Sequence, residues 1–183
     1  MSKTPAADST KPLIMPGDVR AIQVISLLED IGELGSGTHI NKLVEKIDGG
    51  ITVLLPVLDA AEMLGLARSE EGELFLTDEG LKFQGTPMSR VSTLKDKLGA
   101  IEPFRTAVEL ASKRGGTTAG EVAQTLGAQG IQWHYKPDLN ESLVKNLLIH
   151  WTIRADLLSY DGKSEKFQSA SPGMDPSGEG HRA

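Results

Sequence analysis

The chain has 183 residues, of which 39% are hydrophobic and 24% are charged, and its net charge is −6 at pH 7. This balance is typical of a globular protein, and the length suffices for one ordinary domain or two small ones. The lack of cysteine excludes disulfides, thiolate metal ligands and thiol nucleophiles.

The two ends of the chain are rich in Pro, Gly and Ser and lack periodic apolar residues. We therefore expect flexible tails at residues 1–16 and 169–183. The first tail contains no apolar core of the length that a signal peptide needs, and the longest apolar run, around 51–58, is too short to span a bilayer. These features favour a cytoplasmic protein.

Residues 17–86 show the pattern of a first compact unit, in which apolar residues recur at helical spacing and then change to short strand-like runs. The predicted elements are a helix from Asp18 to Leu34, a helix from Thr38 to Ile47, a helix from Thr52 to Leu64, a hairpin with strands 66–69 and 73–76, and a helical turn from Thr77 to Phe83. Three helices followed by a hairpin is the element order of a winged helix.

The pattern begins again in residues 87–168, with a shorter second hairpin. Its predicted elements are a long helix over 89–113 interrupted near Gly99 and Pro103, a capped helix from Thr118 to Leu126, a helix containing the stripe Leu143 to Trp151, and a hairpin around Asp161-Gly162. The predicted fold class is therefore mainly α with small β-hairpins, arranged as two tandem winged-helix (helix-turn-helix) units.

The two units differ in net charge. Residues 1–86 contain 7 basic and 14 acidic side chains, whereas residues 87–168 contain 11 basic and 9 acidic ones. In a DNA-binding winged helix the third helix reads the bases, and the third helix of the first unit, from 52 to 64, has no Lys or Arg. An acidic helix of this kind would repel phosphates.

The acidic side chains of the first unit are predicted to bind a protein partner. Asp59 and Glu62 are three residues apart and share a helical face, and Glu70 and Glu71 form the hairpin turn. Solvation of a charged turn is the simpler alternative for the last two.

The second unit offers two further candidate contacts. Lys145, His150 and Arg154 lie on or near its third helix and could contact nucleic acid, although interspersed acidic residues favour a mixed solvated surface. The loop containing Trp133 and Tyr135 could contact a small ligand, or it packs its aromatic rings onto the core.

No motif predicts catalysis, a cofactor or a metal. Gly32 to Thr38 has the glycine spacing of a phosphate-binding loop but lacks its Lys and follows a helix, so we interpret it as a helix-terminating turn. The four histidines show neither an HExxH motif nor an i, i+4 pair, and no serine has a G-x-S-x-G context.

The run LLPVLDAAEMLGLARSEEGELFLTDEGLKF, from Leu54 to Phe83, resembles the AAA-associated C-terminal domain of nitrate/sulfonate/bicarbonate-type ABC importer ATPases. Ile101 to Phe104 and HWTIRADLLSYDG, from His150 to Gly162, are similar to its later parts, and the resemblance covers roughly 19–167. It implies a free-standing accessory or regulatory module that binds an importer ATPase or permease, and it carries over no catalytic residue.

A second class of function stays open at this point. The chain could instead be a homodimeric winged-helix transcription regulator that binds DNA through the second unit. A small-ligand sensor using the Trp133–Tyr135 loop is a third hypothesis.

Overall fold

The computed structural model describes residues 11–170 and confirms a mainly helical fold with small strand pairs. The helices of this part are α1 (Ala21–Leu34), α2 (Ile40–Lys46), α3 (Ile51–Met63), α4 (Asp78–Gly85), α5 (Pro87–Leu98), α6 (Phe104–Arg114), α7 (Ala119–Gly127) and α8 (Pro137–Thr152). The strands are β1 (Leu13–Ile14), β2 (Thr38–His39), β3 (Ala67–Glu70), β4 (Glu73–Leu76), β5 (Ile101–Glu102), β6 (Thr117–Thr118), β7 (Leu158–Asp161) and β8 (Lys166–Ser169).

The first unit contains the three predicted helices and the predicted hairpin, together with one strand that was not predicted. Thr38 was expected to begin the second helix, but it lies in β2, and His39 is the N-cap of α2. β2 pairs with β4, so the antiparallel sheet has the order β2-β4-β3. At the tip of the hairpin Glu71 and Gly72 both have positive φ, which is the backbone of a two-residue turn that follows the strand twist.

The second unit repeats this arrangement. Its sheet has the order β6-β8-β7, and β6 stands between α6 and α7 as β2 stands between α1 and α2. The third helices α3 and α8 end in the same three backbone N–H to carbonyl hydrogen bonds. In α3 they run from Leu64 to Ala60, from Gly65 to Glu62 and from Leu66 to Ala61. In α8 they run from Ala155 to Trp151, from Asp156 to Ile153 and from Leu157 to Thr152. The second hairpin was predicted to be shorter, which is wrong, because its strands are equally long and its loop is longer.

The predicted interruption of the long helix after residue 89 is confirmed, and it contains the short strand β5. α5 ends at Leu98 and α6 begins at Phe104. The buried carboxylate of Glu102 accepts hydrogen bonds from the Thr106 backbone N–H (3.1 Å) and from Arg105 Nε (2.8 Å). It therefore accepts a hydrogen bond from an amide in the first turn of α6, for which the helix itself provides no backbone carbonyl.

The predicted N-terminal tail is wrong for residues 13–16. β1 pairs in parallel with β5, and the side chain of Met15 is fully buried. Residues 1–10 and 171–183 lie outside the described residues, and Ser169, assigned to the C-terminal tail, is the last residue of β8.

Two tryptophans of the second unit hold the N-terminal segment in place. The indole N–H of Trp133 donates to the Met15 carbonyl (2.7 Å), and that of Trp151 donates to the Val19 carbonyl (2.8 Å). One cluster of buried apolar side chains runs through both units. The division of the chain near residue 86 stays a prediction, since α4 and α5 pack against each other there.

We expect Trp151→Phe to lower the free energy of unfolding by roughly 1–3 kcal/mol, because the buried Val19 carbonyl loses its donor. The smaller ring also leaves a cavity. Urea unfolding followed by far-UV circular dichroism measures the change. Tyr135→Phe is the control, since Tyr135 is 77% exposed, and an equal loss in both variants would contradict the prediction.

We expect Gly80→Ala in α4 to destabilise the protein by about 1–3 kcal/mol, because a Cβ at this position would overlap the Leu66 carbonyl oxygen at the start of the hairpin. Gly85→Ala in the same helix is the matched control. Its Cβ would meet Ser89 Oγ at 3.8 Å, an ordinary contact, so we expect no loss. Thermal unfolding of the two variants tests this, and equal melting temperatures would contradict the proposed overlap.

Candidate partner-binding surface

The outer face of α3 has an apolar half and an acidic half. Ile51, Leu55, Asp59 and Glu62 are separated by three or four residues and form one stripe, which we call the α3 stripe. Ile51 is 44% exposed and Leu55 is 45% exposed, while the opposite face of the helix packs into the core. The stripe therefore presents two large apolar side chains to solvent beside two carboxylates.

The acidic end of the α3 stripe continues into the first hairpin. Glu62 accepts a hydrogen bond from Ser69 Oγ (2.6 Å) on β3, and this contact leaves Glu62 partly buried, whereas the spacing had placed it at an exposed position. The next residue, Glu70, forms an ion pair with Arg68. Glu62 is therefore bonded to the strand residue that precedes Glu70.

Asp59 and Glu71 differ from these two carboxylates. Both are exposed, and among the described residues neither has a basic side chain within 4 Å. Neither charge is therefore offset by an ion pair. At these two exposed positions an incoming basic group meets no competing ion pair.

An apolar groove lies on the other flank of α3, beside α1. Ile22 and Val53 form its walls and are 49% and 39% exposed, and Leu27 and Val57 lie deeper. The cavity volume is about 200 Å³. Exposed apolar clusters of this kind mark interaction sites more often than isolated exposed leucines do.

The sequence did not predict that Ile22, Ile51, Val53 and Leu55 are exposed, because helical spacing predicts the buried stripe and leaves the other apolar positions unassigned. The available signal was the excess of apolar residues in α3. Almost every position from 51 to 58 is apolar, while one face of a helix can bury only about half of them.

At the end of α8 the residues that correspond to Asp59 and Glu62 are His150 and the C-cap residue Ile153, as the shared hydrogen bonds at the ends of the two helices show. Arg154 follows and is exposed. Burial lowers the pKa of His150, and the nearby Arg20 and Arg154 guanidinium groups lower it further. The second unit therefore carries a histidine and an isoleucine where the first carries two carboxylates, with Arg154 beside them.

Lys145 is not available as a free cation. Its Nζ lies 2.6 Å from Glu165 Oε1 and 5.6 Å from the centre of the Tyr160 ring. The hydrogen bond to Glu165 raises the pKa of Lys145 and lowers the pKa of Glu165. A phosphate would have to compete with this carboxylate for the ammonium group.

The two aromatic residues of the loop between α7 and α8, Trp133 and Tyr135, have different environments. Trp133 is partly buried and donates its indole N–H to the Met15 carbonyl, as expected for a loop that packs onto the core. Tyr135 projects into solvent and stacks on His134 with the ring centres 4.6 Å apart. The two residues therefore do not line one ligand site.

The glycine-rich segment after α1 is a helix-terminating turn, as predicted. Gly32 still belongs to α1, and the Gly37 N–H donates to the Leu74 carbonyl (2.9 Å), so this amide is engaged in the sheet. In residues 11–170 no group of three or more His, Asp or Glu side chains is placed to hold a metal ion. None of the helices in this part is long and apolar enough to cross a membrane.

Comparison with known proteins gives one assignment. The family model described as the C-terminal AAA-associated domain matches residues 41–161, from the start of α2 to the end of β7. No curated protein and no solved structure matches the chain. The matched range contains the whole α3 stripe, the first hairpin and α8, and the match confirms the resemblance to the AAA-associated C-terminal domain. The chain belongs to the family of the C-terminal AAA-associated domain.

Proposed function

We propose that the chain is a non-catalytic, cytoplasmic accessory module that binds a protein partner through the α3 stripe and the first hairpin. The partner is an assembly that contains an ATPase, and the importer resemblance of the sequence favours the ATPase or permease of an ABC importer. The observation that carries the proposal is the composition of the α3 stripe, with two exposed apolar residues followed by two carboxylates.

The proposal treats each unit as a winged helix whose third helix is an interaction surface. In support, both units have the order helix, short strand, helix, helix, hairpin, and in both the short strand pairs with the second strand of the hairpin. In the first unit this third helix has no cation to neutralise a phosphate. Its surface suits a protein better than a nucleic acid.

The chemistry of the surface also defines the partner's face. Burial of the exposed Ile51 and Leu55 side chains would stabilise a complex, so we expect the partner to place apolar side chains opposite them. The unpaired carboxylates of Asp59 and Glu71 attract Lys or Arg, and such complementarity mainly sets orientation and association rate. We therefore expect a partner face with an apolar centre and a basic edge.

We expect Asp59→Lys combined with Glu71→Lys to reduce recovery of importer components in affinity capture from native cells by about fivefold to tenfold at low salt. Each substitution replaces a carboxylate that attracts the basic edge of the partner by an ammonium group that repels it. Because both positions are exposed, the circular dichroism spectrum should stay unchanged. The loss should shrink as salt is added, because exposed charges are screened.

Asp96→Lys combined with Glu109→Lys is the matched control, since it changes the net charge equally at exposed positions of α5 and α6. Equal recovery with both double variants would contradict the assigned surface. Capture of no ATPase or permease by the parent chain would contradict the proposed function itself.

The alternative function, a DNA-binding regulator, has a specific observation in its favour. His150 lies on α8, Arg154 lies in the turn that follows it, and Lys163 and Lys166 lie on the exposed second hairpin. Against it, Lys145 is paired with Glu165, and the first unit would repel the duplex.

We expect the full chain to leave duplex DNA unshifted in a gel-retardation assay at physiological salt. The full chain is required, because the segment before α1 is anchored in the second unit. Retention that is specific for one promoter, and that is weakened by Lys163→Glu with Lys166→Glu, would instead support the regulator.

A further inference from the structure

A polar cleft separates the segment before α1 from α8. Its walls are residues 17–20 on one side and Asn146, Leu147 and His150 on the other, and its cavity volume is about 110 Å³. The bond from the Trp151 indole to the Val19 carbonyl holds the two walls together. The shape of the cleft therefore depends on a buried contact and not on one mobile side chain.

Two basic side chains line this cleft, and a third lies near it. His150 is partly buried in its wall, Arg20 stands on the facing wall, and Arg154 lies one helical turn beyond His150. In the described part of the chain neither guanidinium has a carboxylate within 4 Å. Asp18 is the acidic residue of the lining, and it does not form an ion pair with Arg20.

The electrostatics show that the basic groups act on one another. Burial lowers the pKa of His150, and repulsion by Arg20 and Arg154 lowers it further. Two permanent positive charges thus converge on a third basic group without a compensating ion pair, in a protein whose net charge is −6. Such an arrangement is electrostatically unfavourable until an anion enters.

We infer that this cleft binds one small oxyanion of the phosphate class through Arg20, Arg154 and His150. Guanidinium groups bind phosphate oxygens with paired, charge-assisted hydrogen bonds, and imidazolium adds a further donor. The cavity has the volume of roughly three to four water molecules at about 30 Å³ each, which suits a single phosphate group. This site is separate from the proposed partner surface on α3.

The free anion is favoured over a nucleic-acid backbone as the ligand. Asp18 lies at the cleft and the first unit carries an excess of acidic groups, so a long polyanion would meet repulsion beyond the cleft. A single phosphate group would contact the basic side chains without extending across these acidic surfaces.

A bound anion should change the pKa of His150 in a defined direction. The charged groups that face His150 are Arg20 and Asp18 from the segment before α1 and Arg154 from the turn after α8. Because the pKa of His150 lies below its ordinary value, the imidazole is neutral at pH 7 and becomes a cation as the pH falls. A bound anion stabilises the imidazolium, so phosphate should raise the pKa of His150.

The experiment is an NMR pH titration of the His150 imidazole in the full chain, with and without inorganic phosphate at constant ionic strength. We expect phosphate in the millimolar range to raise the pKa of His150 in a saturable way, by about one unit if the anion prefers the imidazolium tenfold. Arg154→Gln should raise the pKa in the absence of phosphate and remove most of the response to phosphate. Lys113→Gln, which removes one exposed positive charge from α6, should change neither the pKa of His150 without phosphate nor its response to phosphate.

Two results would overturn the inference. One is a His150 pKa that does not change with phosphate, or that responds equally in Arg154→Gln and Lys113→Gln, which indicates general screening. The other is a response to a short DNA duplex without a response to inorganic phosphate, which would assign the cleft to nucleic acid. Neither result bears on capture of a partner through the α3 stripe, so the two proposals fail separately.

Discussion

The hydrogen bond from the buried Trp151 indole to the Val19 carbonyl joins the last helix of the fold to the residues that lead into its first helix. An indole N–H that is buried without an acceptor costs free energy, and so does a buried carbonyl without a donor, so the two groups require each other. Trp133 repeats the contact at Met15, and β1 adds a strand pairing with β5. The position of α1 relative to the second unit, the continuous apolar core and the polar cleft all depend on this anchored segment.

On this common framework the two units have diverged in surface chemistry. α3 and α8 end in the same hydrogen-bonded turn and are followed by equally long hairpin strands, yet the positions of Asp59 and Glu62 are taken by His150 and Ile153. Backbone geometry constrains the buried positions and the turn, whereas exposed positions are constrained only by what they contact. A repeated fold can therefore carry an acidic, partly apolar surface in one half and a basic cleft in the other.

Neighbouring groups decide which charges of the molecule are available to a partner. Lys145 and Glu165 neutralise each other, Glu62 bonds to Ser69, and Glu102 is used inside the fold to stabilise the start of α6. Asp59, Glu71, Arg20 and Arg154 have no such ion pair in the described part of the chain. The net charge of a unit is thus a poor guide to its binding surface, because it counts paired and unpaired groups alike.

The sequence by itself determined the helices, both hairpins, the Thr118 capping box and the family, because each depends on neighbours within a few residues or on a contiguous run such as Leu54 to Phe83. It did not reveal β1, β2, β5 or β6, since a two-residue strand has no period and exists only through a partner far along the chain. For the same reason Leu13 to Pro16 was predicted to be a tail, and the sequence did not show that Trp133 packs onto the core while Tyr135 is exposed. The proximity of Arg20 to His150 was likewise not predicted. Those pairings were decided by tertiary structure alone, because the Trp133 and Trp151 side chains bring together residues that are more than a hundred positions apart.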